Sequence, residues 1–233
     1  MKEIKGIITP LVTPFSGGAL DRDALSSLME YQKKIGVSAV FPAGSTGLFA
    51  LLSVEGQKKV IGEAIDAAKG LPVVAGASRN DLEETASVAK YAEDAGADAL
   101  AILPPYYFRV DQRSIYDYYA QIAGKVDTPV LIYNNPGLAG NSVEPRTASL
   151  LMQEYSGIVG VKDSSGNLRV TQAYLSELPR NALVYQGSDD LLLPSMALGI
   201  SGGVCGTANF SPLAERLWEA GIGHAAEGRE ISA

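Results

Sequence analysis

Short runs of apolar, β-branched residues alternate with longer stretches in which apolar residues recur every three or four positions. The first runs are Ile7-Ile8-Thr9-Pro10-Leu11-Val12, Ala39-Val40-Phe41-Pro42-Ala43, Val73-Val74-Ala75-Gly76 and Ala99-Leu100-Ala101-Ile102-Leu103. Four more follow: Val130-Leu131-Ile132-Tyr133, Ile158-Val159-Gly160-Val161-Lys162, Leu183-Val184-Tyr185 and Gly203-Val204-Cys205-Gly206. Each is short enough for a strand and too uniformly apolar for one exposed on a face. The periodic stretches between them predict helices over 21–35, 53–69, 81–95, 112–124, 144–155, 168–178, 190–198 and 212–220. Asp21 is a candidate N-cap and Gly36 a stop for the first helix, and Gly70 closes the second. Ser53 opens a capping-box-like start in which Gln57 lies one residue too late for the usual spacing.

Strict alternation of this kind demands a parallel sheet covered by helices. Eight strand–helix units without a break in composition close most simply into a single α/β domain, a (β/α)8 TIM barrel. An open doubly wound sheet is the alternative. Neither GxGxxG nor GxxxxGK[ST] is present to support it.

Charge narrows the partners. Nineteen Lys and Arg against 26 Asp and Glu leave a net charge of −7, and the pI is about 4.8. Nucleic acid and anionic membrane are therefore excluded as expected partners, since both need clustered cations. One cysteine, Cys205, permits no internal disulfide and points to a reducing, cytoplasmic location. One histidine, His224, rules out a multi-His metal site or a His-based triad within one chain. The first six residues carry charge without an apolar core, so they do not read as a signal peptide, and no apolar run is long enough to span a bilayer.

In a barrel the chemistry gathers where the strands end, and four groups of polar residues stand there. Lys162 follows Val159-Gly160-Val161. It is either a lysine past the strand, solvated or paired with Asp163, or a desolvated nucleophile. Burial brings a lysine amine from a reference pKa of ~10.4 toward ~7–8, where its neutral form attacks carbonyls. Tyr133 ends the neighbouring strand, either as a rim tyrosine or as a proton shuttle. Gly44-Ser45-Thr46-Gly47 is either a plain turn or a nest of backbone N–H groups for a carboxylate. Gly187-Ser188-Asp189-Asp190 is either a helix cap or a holder of substrate hydroxyls. Together, an amine, a phenol and an anion nest on one barrel face form a kit for α-keto acid chemistry.

These motifs, with Pro105-Tyr106-Tyr107 and Tyr133-Asn134-Asn135-Pro136-Gly137, resemble those of the dihydrodipicolinate synthase / N-acetylneuraminate lyase superfamily of class I aldolases and lyases. The resemblance runs from Gly6 to about Phe210. It implies that Lys162 forms an imine with pyruvate or a pyruvoyl substrate and that Tyr133 is the acid–base. It implies that Ser45 and Thr46 bind the carboxylate beside Gly47, with Thr46 also in a hydroxyl relay with Tyr133. Tyr107 would complete that relay in a neighbouring chain, and Val204 would pack beside the imine. Metal and organic cofactors are not implied, and a homo-oligomer, a dimer or tetramer, is.

The branch is read from departures. Synthases of this family usually carry Arg where this chain has Leu138 and Glu where it has Leu48. Leu48 with Gly187-Ser188-Asp189 looks closer to the 2-keto-3-deoxygluconate aldolases, in which the counterparts of Gly187 and Asp189 serve the sugar acid. Arg109 matches a position that can meet a phosphorylated substrate. The expected reaction is reversible cleavage of a 2-keto-3-deoxy sugar acid to pyruvate and an aldehyde. The alternatives are dihydrodipicolinate synthase or N-acetylneuraminate lyase on the same scaffold, or a non-catalytic keto-acid-binding barrel. The barrel is expected over 1–222. Residues 223–233 would begin the helical region that follows it in the family, the rest of which this chain largely lacks.

Overall fold

A computed structural model describes residues 4–221. Eight parallel strands form the barrel: β1 Gly6–Pro10, β2 Ala39–Phe41, β3 Val74–Gly76, β4 Ala99–Ile102, β5 Val130–Asn134, β6 Ile158–Asp163, β7 Leu183–Gln186 and β8 Gly202–Val204. Their order in the sheet is β2-β1-β8-β7-β6-β5-β4-β3. The ring closes between β2 and β3, where Val40 bridges Val73 and Gly76 donates its N–H to Pro42. The expected eight-fold alternation is thus present, and the open sheet is not.

Helices α1 Arg22–Ile35, α2 Val54–Ala68, α3 Leu82–Ala95, α4 Gln112–Ala123, α5 Pro145–Glu154, α6 Leu168–Glu177 and α7 Leu192–Leu198 cover the outside. An eighth, α8, is helical from 213 to 221. Local chemistry sets the ends. Asp21, Asp81 and Asp111 each accept a backbone N–H three residues on, satisfying a donor that the first turn leaves orphaned. Gly36 and Gly96 end α1 and α3 in the left-handed conformation. Ser53 caps α2 through Gly56, and Gln57 does not complete a capping box: its amide reaches instead to the Gly76 carbonyl at the end of β3.

The apolar residues separate into two layers. Ile7, Val40, Ala75, Leu100, Ile132, Val161 and Val184 face the helices. Ile8, Phe41, Val74, Ala101, Leu131, Tyr133, Tyr185 and Val204 fill the barrel. The period of two along each strand produces this split, and it sends Lys162 inward and Asp163 outward.

Five elements were not expected, among them 3-10 turns over Phe49–Leu51 and Gly206–Asn209. Phe15–Ser16 and Ala19–Leu20 form a small hairpin, turned by Gly17 and Gly18 at φ 58° and 80°. A short helix spans Pro136–Ala139, and α7 is preceded by a 3-10 turn over Asp189–Leu191. The predicted start of a further helical region at 223–233, and His224, lie outside the described residues.

Candidate active site

Tyr133 and Lys162 stand side by side because of one extra residue. In the parallel pair β5–β6, Val130 faces Ile158 but Leu131 faces Gly160, which leaves Val159 bulged. From there the register places Tyr133 opposite Lys162 and Asn134 opposite Asp163. Without the bulge, Tyr133 would stand opposite Val161 and the lysine would move to the other face. Gly160 makes the next strand's approach possible: a Cβ there would lie 2.1 Å from the Leu183 carbonyl oxygen of β7.

Lys162 is 4% exposed. Its Nζ lies 3.8 Å from the centroid of the Tyr133 ring and 4.7 Å from that of Phe41. The Phe41 ring is itself edge-on to Tyr133, at 6.0 Å. Pairing with Asp163 is excluded by geometry. Asp163 Oδ1 accepts from Asn134 Nδ2 and Ser165 N, and Oδ2 accepts from the hydroxyls of Ser165 and Thr171. That carboxylate ties β5, β6 and α6 together on the outer face. Lys162 forms no ion pair among the described residues, so a solvated or paired lysine does not describe it.

The Tyr133 hydroxyl lies 3.2 Å from Ser45 Oγ and accepts from Asn135 Nδ2 at 3.0 Å. Burial pushes this phenol up. The adjacent Lys162 charge and the hydrogen bonds with Ser45 and Asn135 outweigh burial and bring it to about 8. The hydroxyl on Tyr133 is therefore Ser45's. Thr46, expected in that relay, is exposed and makes no hydrogen bond to Tyr133. Successive residues of a turn point in different directions, so only one of two adjacent hydroxyls reaches the phenol.

The turn after β2 runs through two strained points, Ala43 at φ 54° and Leu48 at φ 60°. Inside it, Leu48 N bonds to the Ser45 carbonyl and Phe49 N to the Gly44 carbonyl. The N–H groups of Ser45, Thr46 and Gly47 have no acceptor among the described residues. Gly47 is held by Thr13, whose hydroxyl donates to its carbonyl at 2.7 Å. A strained turn with three unused donors beside a buried amine is a ready seat for an anion.

The other expected residues divide. Val204 is buried inside the barrel with Tyr133 and Tyr185. Asp189 reaches the mouth, but its oxygens accept from Gly206 N at 3.0 Å and Thr207 N at 2.8 Å, joining the loops after β7 and β8. Gly187 donates to the Asp163 carbonyl, and a Cβ on it would meet Ser164 Oγ at 2.0 Å, so its place here is one of close packing. Tyr107, at φ 78°, is 81% exposed and packs edge-on against Phe108, out of contact with Tyr133. Arg109 is exposed. Asn135 was singled out by no expectation of a role; its 8% exposure and its contact with Tyr133 mark it now.

A cleft of about 240 Å³ opens beside Ser45, walled by Leu48, Phe49, Leu51, Leu103, Tyr106 and Leu138. The two positions that depart from the synthase pattern, Leu48 and Leu138, thus share one apolar wall. Among the described residues no three His, Cys, Asp or Glu side chains are grouped to hold a metal ion. No helix among them is long and apolar enough to cross a membrane.

The profile of the dihydrodipicolinate synthetase family matches residues 3–231. The 4-hydroxy-tetrahydrodipicolinate synthase of Methanopyrus kandleri is 38% identical over 222 residues, 94% of this chain and 74% of that protein. The 2-dehydro-3-deoxy-D-gluconate/2-dehydro-3-deoxy-phosphogluconate aldolase of Picrophilus torridus is also 38% identical, over 89% of this chain and 78% of that protein. The chain thus spans about three quarters of the length of these relatives. Among solved structures, the 2-keto 3-deoxygluconate aldolase from Picrophilus torridus superposes with a TM-score of 0.89 at 38% identity, covering 92% of this chain and 78% of that one. The chloride-inhibited dihydrodipicolinate synthase from Acinetobacter baumannii, complexed with pyruvate, superposes with a TM-score of 0.91 at 32% identity, covering 98% and 79%.

Proposed function

The chain belongs to the dihydrodipicolinate synthetase family of pyruvate-dependent lyases, and on that premise we propose that it is a class I aldolase cleaving a 2-keto-3-deoxy sugar acid, such as 2-keto-3-deoxygluconate, to pyruvate and an aldehyde. The observation that carries this reading is the buried Lys162 amine in register with Tyr133, whose hydroxyl is bonded to Ser45. The unused N–H groups of Ser45, Thr46 and Gly47 seat the substrate carboxylate, and the exposed Thr46 hydroxyl adds a donor.

The steps follow from the geometry. The Lys162 lone pair attacks the C2 ketone, and loss of water leaves an iminium. The Tyr133 oxygen takes the C4 hydroxyl proton, directly or through Ser45. The C3–C4 bond breaks, its electron pair enters the enamine, and the aldehyde leaves. Protonation at C3 and hydrolysis release pyruvate and restore the amine. Val204 and Phe41 keep water from the imine.

Identity alone does not favour the aldolase, since synthase and aldolase relatives are equally similar. Leu48 and Leu138 do. They offer no cation for a second carboxylate, which suits a neutral aldehyde better than a charged one. Asp189 enters this reading as a brace for the mouth, because its oxygens are already engaged. Arg109 and Gly187 keep no substrate role in it. Tyr107 reaches the site only from a second copy. Tyr107, Phe108, Leu51 and Leu138 together expose an apolar patch that suits a homo-oligomer. A lone thiol, Cys205, suits the cytoplasm.

Cleavage assays on a panel of keto acids test the branch. We expect pyruvate and glyceraldehyde from 2-keto-3-deoxygluconate, and no condensation of pyruvate with aspartate semialdehyde. Cleavage of N-acetylneuraminate alone, or condensation alone, contradicts it.

A further inference from the structure

Asn135 carries no assigned role, yet it is buried with its amide on the reactive phenol. Its position is set by the chain on both sides. Pro136 follows it and bars the helical conformation, and Asn135 takes φ −139°, ψ 73°. Its carbonyl accepts from Leu138 N at 3.2 Å and Ala139 N at 2.9 Å, closing the Pro136–Ala139 turn. With the backbone clamped, the side chain folds back two residues and donates Nδ2–H to the Tyr133 oxygen at 3.0 Å.

The groups around that oxygen differ in what they can do. Ser45 Oγ both donates and accepts. Lys162 is itself consumed when its amine becomes an imine. The amide N–H of Asn135 only donates, and it is unchanged throughout the reaction. It occupies a lone pair of the phenol oxygen, so the phenol proton is directed to Ser45, and the phenolate left behind keeps one donor that chemistry never removes.

We propose that Asn135 is a positioning residue that orients the Tyr133–Ser45 proton relay and holds Tyr133 competent as a base through a fixed amide donor. This rests on the reading of Tyr133 as the acid–base. The step it serves is defined with pyruvate alone. In the pyruvate iminium at Lys162, the C3–H bond breaks and the proton passes to the Tyr133 phenolate. The C–H electron pair forms the C2–C3 double bond, and the C2–N double bond becomes single. Reversal in deuterium oxide returns a deuteron to C3.

The experiment is the pH profile of pyruvate C3 deuterium exchange, followed by proton NMR, in the wild type, Asn135→Leu and the isosteric Asn135→Asp. The aldehyde partner need not be known. In the wild type the rate should rise with pH as Tyr133 ionises, half-maximally near 8. Loss of the donor moves that limb toward alkali by about one pH unit in Asn135→Leu, roughly tenfold in rate at neutral pH. Asn135→Asp, which adds an acceptor and a charge, moves it further. The KM for pyruvate stays within about twofold in both, whereas a merely structural role would lower the plateau without moving the limb. A limb that coincides with the wild type in the folded Asn135→Asp variant overturns the inference. So does an acid shift, which would mean that the amide faces Tyr133 with its oxygen. Absence of exchange in the wild type overturns the acid–base reading itself, and is told apart by failing before any variant is made.

Discussion

The loop after β2 with the ends of β5 and β6, and the loops after β7 and β8, all bring polar groups to the barrel mouth, and they use them in opposite ways. On the first side, among the described residues, Lys162 has no ionic partner, the N–H groups of Ser45 to Gly47 have no acceptor, and the Tyr133 hydroxyl is bonded to Ser45 and Asn135. On the second, both Asp189 oxygens are taken by Gly206 and Thr207, and the Ser188 N–H is taken by Gln186. A polar side chain at the mouth is available to substrate only after its own hydrogen bonds have been counted. By that count the first side keeps its polar groups free for a ligand, as the proposed aldolase chemistry requires, and the second has spent them on the fold.

The contrast is broken or sharpened most strongly at Tyr133. Tyr133→Phe keeps the ring that packs on Lys162 and Phe41 but removes the hydroxyl. Cleavage should fall by ~10²–10⁴-fold, while slow formation of the pyruvate imine persists. Steady-state kinetics beside imine trapping reads both. A loss below about tenfold would place the proton transfer elsewhere.

A smaller effect is expected at Asp189. Asp189→Ala leaves two backbone N–H groups without their carboxylate, which costs about 1–3 kcal/mol each if they stay dry and less if water replaces it. Thermal unfolding should move down by several degrees, with kcat/KM reduced less than about tenfold. A raised KM with unchanged melting would instead mean that Asp189 grips the substrate and would erase the difference between the two sides.

Much of the fold is legible in the sequence. The eight apolar runs mark strands buried on both faces, and Asp21 announces a helix start because its cap is a local interaction. Lys162 and Tyr133 were legible because polar residues at the ends of apolar strands are costly without a use. Their adjacency was not: it depends on the bulge at Val159, which no local pattern marks and which the close approach at Gly160 accompanies. That the Ser45 hydroxyl and not that of Thr46 lies on Tyr133 depends on which way a strained turn aims each one. Asn135 was hidden because its partner is its near neighbour across a proline turn. The Gly17-Gly18 pair, both at positive φ, is the sequence signal of the hairpin that pairs Phe15 with Leu20. Tyr107 stays outside the site of its own chain, exposed against Phe108.

The proposed chemistry stands on Lys162 being a reactive amine inside a keto-acid pocket. The direct measurement is intact mass and peptide mapping after incubation with pyruvate and borohydride. We expect one reduced pyruvyl group per chain, carried on Lys162 and absent from Lys162→Ala. A folded protein that takes up no pyruvyl group, or takes it up on another lysine, would contradict it.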